Sequence, residues 1–365
     1  MDDVTAACLG FSLCGRIGPA TYAKLLEYYH TPQKAFFAPQ SELSQLLSQT
    51  KQRDQFFAFR RTYDPQSALA QLQKYNVWFL TIHDPSYPSQ LKQIQDAPFC
   101  LYGRGDRALF HFAEDSFIGV VGTRKPTPYG QQVAKLCGET YGRDDIVVVS
   151  GMALGIDAIT QRSAIANGGR TIAVLGTDIT HPYPRENIDL YEEIIHTKGI
   201  VISEHPPGYQ IEKSMFRLRN RIIVGLSQAI VVVEGGEQSG SLITARYAAD
   251  NGRDVYAVPG PIDSDMSHGP HVLLREGARL MQDPVDVLND WGKNQVPIQK
   301  GKAQPIGLTD TEKAIYELLS IRPVIADELA HKTHIATTEV LSMLSLLEIR
   351  GLIKQDTAGR FMTNT

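Results

Sequence analysis

From Phe117 onward the chain repeats one hydrophobic rhythm. Short, nearly unbroken apolar and β-branched runs stand at Phe117 to Val121, Ile146 to Val149, Thr171 to Leu175, Ile200 to Ser203, Ala229 to Val233 and Asp254 to Val258. They start 25 to 29 residues apart, which fits one strand plus one crossover helix per step. Their lack of polar alternation predicts strands covered on both faces. The pattern therefore predicts an α/β fold, a doubly wound, Rossmann-like parallel sheet. Nearly every run leads into a glycine-bearing or polar loop, and in open parallel sheets such loops gather in one crevice at the carboxyl ends of the strands.

Other periodicities flank this region. Residues 1–61 read as short helices: Ala20 to Tyr29 has apolar residues at helical spacing, continued by Phe36, Leu43, Leu46 and Leu47. Gly15-Arg16-Ile17-Gly18-Pro19 separates two of them; it reads either as an interhelical turn or as a helix-hairpin-helix whose amides hold a phosphate. Val77 to Leu80 is one clear strand, and the loop-rich stretch up to residue 115 reads as connecting chain, so residues 62–283 form an extended Rossmann-like domain. Residues 284–307 are polar and aperiodic, which predicts a linker. Residues 308–365 show three helical stretches and a closing hairpin, the outline of a winged helix.

Composition narrows the function. In 365 residues there is no apolar run of the roughly 20 needed to cross a bilayer, and the start MDDVTAACLG is acidic, so a cytoplasmic protein without membrane contact is expected. Cys8, Cys14, Cys100 and Cys137 lack the spacing of a metal or redox site, and neither a metal nor a cofactor is expected. A net charge of -4 means that any nucleic-acid contact must come from a local patch.

Such patches exist. Gly122-Thr123-Arg124-Lys125 follows a strand and precedes a helix, a setting that suits a phosphate as well as a plain turn. It lacks both GxGxxG and GxxxxGK[ST]. Ser150 to Ala158, with Asp157, is a similar strand-to-helix joint. Glu212 to Arg221 carries a net +3 with Lys213, Arg217, Arg219 and Arg221 around Phe216, giving charges for phosphates and a ring for a base. The alternative is a helix start whose arginines pair with neighbouring carboxylates. Ser239-Gly240-Ser241 offers hydroxyls and amides at a helix start. No Ser/His/Asp or Cys/His set is legible among the ten histidines and four cysteines, and no catalytic constellation is expected.

In order, the strings YPSQL, DAPFCLYGRGD, IGVVGTRKPTPYG, VVVSGMALGIDA, RTIAVLGTDITHPYPREN, ISEHPPG, FRLRNRIIVGLS, GSLITARYAADNGRDVYAVPG and LLREGARL resemble the DNA-processing protein A (DprA/Smf) family from about residue 87 to 281. The resemblance implies a SAM-like helical N-terminal domain and a homodimer that binds single-stranded DNA, interacts with the RecA recombinase and helps load it during natural transformation. It places the family's anion loop on Gly122, Thr123 and Arg124, and its DNA contacts on Lys213, Phe216, Arg219, Asn220 and Arg221. Arg217 stands where many members have proline. The competing class is a nucleotide or nucleoside-phosphate hydrolase on a related fold. The glycine-rich loop at Glu234 to Thr244 resembles that of phosphoribohydrolases, but the glutamate those enzymes carry in the next helix is replaced here by Leu-Ile-Thr-Ala-Arg. A transcription factor acting through the winged helix is opposed by that domain's charge, six Lys or Arg against eight Asp or Glu.

Overall fold

Nine strands make one sheet in a computed structural model that describes residues 1–47, 49–110, 116–210, 212–292, 308–321, 323–333, 335–356 and 359–363. They are β1 (Trp78–Thr81), β2 (Cys100–Gly105), β3 (Phe117–Val121), β4 (Val147–Ser150), β5 (Thr171–Leu175), β6 (Ile200–Ser203), β7 (Ala229–Val232), β8 (Asp254–Ala257) and β9 (Arg279–Leu280). The order is β1-β2-β6-β5-β4-β3-β7-β8-β9, parallel from β6 to β9 and antiparallel at β1 and β2. β3 pairs with both β4 and β7, so the connections leave in opposite directions there and the loops after β3 and β7 part to open a crevice. Every residue of β3, β4, β5, β6 and β7 is buried, as the continuous apolar runs require.

Three features depart from the sequence reading. β2 lies in the stretch read as connecting chain, masked by glycines that the packing demands: a Cβ on Gly103 would enter the Trp78 ring. The boundary at 61 does not separate two cores. Phe11 stacks on Phe56 at 5.4 Å, Tyr22 on Phe99 at 4.1 Å, and one apolar cluster runs from these rings to Tyr102, Leu175 and Val201 of the sheet. The first part of the expected linker is helical: Val285–Asp290 buries Val287 and Leu288 against the cluster that holds Tyr141 and Met281, because its few apolar residues fall on one face. Residues 293–307 lie outside the described residues.

The chain divides into two compact units, Met1–Asn294 and Gln295–Thr365. The smaller is a winged helix: helices Asp310–Ile321, Ala326–Thr333 and Thr337–Ile349, then strands β10 (Ile353–Gln355) and β11 (Phe361–Thr363) paired antiparallel. Its own core joins Ile315, Leu319, Leu329, Val340, Leu344 and Phe361. Among the described residues no helix is long and apolar enough to cross a membrane.

Candidate functional site

The loops after β3, β4, β5 and β7, with the basic segment that follows β6, enclose a crevice of about 520 Å³. Its floor is set by glycine. Gly122 follows β3 directly, where a Cβ would come within 2.6 Å of Ile156, so the loop hugs the next helix. The loop is then tied down: Thr123 donates its N–H to Glu234 O at 2.8 Å, and its own carbonyl accepts from Ile156 at 3.2 Å. Buried Glu234 accepts from the Thr127 N–H at 2.9 Å and from its hydroxyl at 2.5 Å, while Thr127 caps the helix Pro128–Arg143. Arg124 and Lys125 are left exposed on a fixed scaffold, with no ion-pair partner among the described residues. Arg124 lines the crevice, whereas Lys125 stands beside it.

The basic segment is folded into two short helices, Met215–Leu218 and Asn220–Leu226, and their turns divide it. Lys213, Phe216, Arg217, Arg219 and Asn220 line the crevice. Lys213 and Arg217 are exposed and, among the described residues, unpaired. Asn220 donates to the Thr244 hydroxyl at 2.9 Å. Arg219 is buried: its guanidinium donates to Gly151 O at 2.7 Å and to Val174 O, joining the carboxyl ends of β4 and β5. Asp157, also buried, accepts from the N–H groups of Gly151 at 3.1 Å and Ala153 at 3.4 Å. Burial pushes Arg219 down to about 10, with Asp157 opposing and nearby Arg124 adding to the shift. Burial likewise raises Asp157, against the pull of Arg219.

Arg221 departs from the expected set. It turns to the other side of the segment, donates to both Glu204 oxygens at 2.7 and 2.8 Å and lies 3.1 Å from Asp96, in a second cavity beside the N-terminal helices. Here the pairing of arginine with neighbouring carboxylates describes the residue. Ser239, Gly240 and Ser241 line the crevice at the start of the helix Gly240–Asp250, where the Ser239 hydroxyl caps Ser241 N and meets the Ser241 hydroxyl at 2.8 Å.

Sequence reasoning missed Tyr183. It is half exposed and its ring lies 5.2 Å from that of Phe216, tilted by 55°. Together with Arg124 they flank a slot of about 40 Å³ floored by Gly151 and Gly176. Gly176 admits the Phe216 backbone, since a Cβ there would stand 3.0 Å from Phe216 Cα. The loop carrying Tyr183 is braced by buried Asp178, which accepts from Thr180 N and meets His181 Nδ1, both at 2.8 Å. The legible signal was an aromatic between two prolines in a strand-end loop, HPYPREN.

An open parallel sheet whose switch-point loops converge on exposed cations and a pair of rings defines a Rossmann-like protein with a basic, ring-bearing crevice. The comparisons agree with this class and make it specific. The family model described as DNA recombination-mediator protein A matches residues 78–292, and that of the DprA winged helix domain matches residues 299–359. The chain belongs to the DNA recombination-mediator protein A (DprA) family. It is 37% identical over 265 residues to the DNA processing protein DprA of Bacillus subtilis, spanning 71% of this chain and 88% of that one. Its fold is similar to the X-ray structure of DprA from Streptococcus pneumoniae, with a TM-score of 0.68 and 32% identity over 80% of this chain and 98% of that one. It is also similar to DNA processing protein A from Helicobacter pylori, described for its single-stranded DNA binding mode, with a TM-score of 0.53 and 27% identity over 59% and 96% of the two chains.

Proposed function

We propose that this protein binds single-stranded DNA in the crevice as a cytoplasmic homodimer, without catalysing a reaction, and helps load RecA on the strand during DNA uptake. The observation that carries the reading is the set Arg124, Lys213 and Arg217, exposed and unpaired among the described residues, around the rings of Phe216 and Tyr183. Charges track phosphates and rings stack bases without choosing among them. The Helicobacter relative, described as binding single-stranded DNA, supports the same ligand here. In this reading Gly122, Thr123, Arg124, Ser239, Gly240 and Ser241 form the phosphate cradle, with Lys125 at its rim. Lys213, Phe216, Arg217 and Asn220 contact the strand, Arg219 shapes the crevice from below and Arg221 holds the segment in place. A hydrolase finds little support, because Glu234, the carboxylate beside the first loop, is buried and committed to Thr127.

The test is an anisotropy titration of labelled single-stranded and duplex oligonucleotides, with nucleotide release followed alongside. Tighter binding of the single strand, with a salt slope of about -0.7 per phosphate contacted, is expected. Equal affinities would overturn the assignment of the crevice, and released nucleotide would overturn the non-catalytic reading. Sedimentation reads the dimer. Faster RecA assembly on a covered strand in the presence of this protein is the expected sign of loading.

A further inference from the structure

The helix Thr337–Ile349 buries Val340, Leu344 and Leu347 in the winged-helix core. At 3.6 residues per turn, its opposite face carries Thr338, Leu341, Ser342, Ser345, Leu346 and Ile349, all exposed. Ile349 is 82% exposed and Leu341 and Leu346 nearly half, so the outward face is apolar and lined with small hydroxyls. A helix that reads a DNA groove presents Arg, Lys, Asn or Gln there, and this face presents none. Glu339 and Arg350 stand on one flank of it, at opposite ends; Arg350 also reaches Glu312 of its own unit at 3.5 Å and stays half exposed.

The spacing makes this face complementary to itself. We propose that it docks on the same face of a second copy of this chain, helix antiparallel to helix about a two-fold axis through Ser345. Positions equally far on either side of residue 345 then come together, so Leu341 packs on the partner's Ile349. Leu346 lies beside the partner's Leu346 near the axis. Glu339 faces the partner's Arg350, and the symmetry supplies this ion pair twice. Ser342 and Ser345 are small enough for the helix axes to approach to about 8 Å. One two-fold operation thus covers the exposed apolar side chains and pairs Glu339 with Arg350, while exposed Glu348 on the other flank stays at the solvent edge, as an isologous interface with a polar rim allows. A nucleic acid would meet apolar side chains and the excess of acids in this unit instead. The association uses no residue that lines the crevice.

The experiment uses the full chain with Ser345→Cys. The native thiols Cys8, Cys14, Cys100 and Cys137 are all buried, so the introduced thiol reacts alone. Under a mild copper–phenanthroline oxidant, which takes the two electrons released as the disulfide forms, cross-linking is expected about tenfold or more faster than for Lys354→Cys on the exposed hairpin, since pairing raises the local thiol concentration. Adding Leu341→Glu and Ile349→Glu is expected to abolish the difference. Glu339→Arg is expected to slow the reaction, and Glu339→Arg combined with Arg350→Glu to restore it. Oligonucleotide binding by these variants is expected to be unchanged, which separates this proposal from the crevice assignment. Equal rates for the two cysteine variants, a charge swap that fails to restore the rate in a helix still folded by circular dichroism, or shielding of the introduced thiol by duplex DNA would each overturn the pairing.

Discussion

Arg219 and Arg221 are two positions apart in a run that reads as uniformly basic, and they serve different ends. Arg219 ties β4 to β5 beneath the crevice, whereas Arg221 is locked to Glu204 and Asp96 on the far side. At the crevice and its rim, the exposed cations without an ion-pair partner among the described residues are Arg124, Lys125, Lys213 and Arg217. Arg124→Ala and Lys213→Ala are each expected to weaken single-strand binding and to flatten its salt slope by roughly one contact, as read by anisotropy across a salt series. Phe216→Ala and Tyr183→Ala are expected to cost about 1 to 3 kcal/mol of binding with little change of slope, because stacking displaces no counterions. Arg221→Ala leaves two carboxylates facing each other without their cation. It is expected to lower unfolding stability by about 2 kcal/mol, below the roughly 3 to 5 of a fully buried pair because Glu204 and Asp96 keep some solvent, and to leave the salt slope alone. Denaturant unfolding beside the titration checks both halves; an unchanged midpoint with a flatter slope would return Arg221 to the DNA site.

At the scale of the element, the strand-to-helix joints carry the site, and their rigidity is testable at Thr127. Its hydroxyl caps the helix Pro128–Arg143 at Gly130 N (3.2 Å) and satisfies Glu234. Thr127→Ala is expected to cost about 1 to 2 kcal/mol of stability, and to weaken DNA binding because Arg124 loses its fixed mount. Thermal unfolding and anisotropy measure the two effects. The loop after β6 makes a pH-dependent contribution. Burial holds His205 below the 6.5 usual for histidine, with Arg221 adding to the shift and Glu204 opposing it. The unfolded chain therefore binds the proton more readily, so the stability tied to neutral His205 is present above about pH 6.5 and is lost as pH falls below it. His205→Gln is expected to flatten the fall in unfolding midpoint between about pH 6.5 and 5. The parallel strands β3 to β8 were legible to within about a residue at each end because continuous apolar runs suffice to define them, whereas the two-residue, exposed β9 has no such run and was not read. β2 was not, since its Cys-Leu-Tyr-Gly-Arg-Gly run makes sense as a strand only beneath Trp78 and beside β6.

For the molecule as a whole, the proposed single-strand site belongs to the larger unit on grounds of charge. The net charge is -4, yet the larger unit brings the exposed cations Arg124, Lys213 and Arg217 to one crevice, while the winged helix carries more acids than bases. Removing residues 308–365 is therefore expected to change single-strand affinity by less than about threefold, within what one lost weak contact would cause. A tenfold loss in a truncated protein that remains folded would count the winged helix as part of the DNA site.

The sequence by itself determined the parallel sheet, the convergence of its glycine-bearing loops and the place of the basic segment, because strand runs, turn residues and charge are properties of neighbouring positions. It also marked off the winged helix, whose core closes within its own stretch of chain. Only the tertiary structure decided which cations stay free, because that depends on carboxylates far away in sequence: Asp96 and Glu204 claim Arg221, and Asp157 lies beside Arg219. It likewise brought Tyr183 against Phe216 and merged the N-terminal helices with the sheet. Burial and partnership are settled when distant segments pack, and no local pattern encodes that Arg217 will face water while Arg219 and Arg221 are buried.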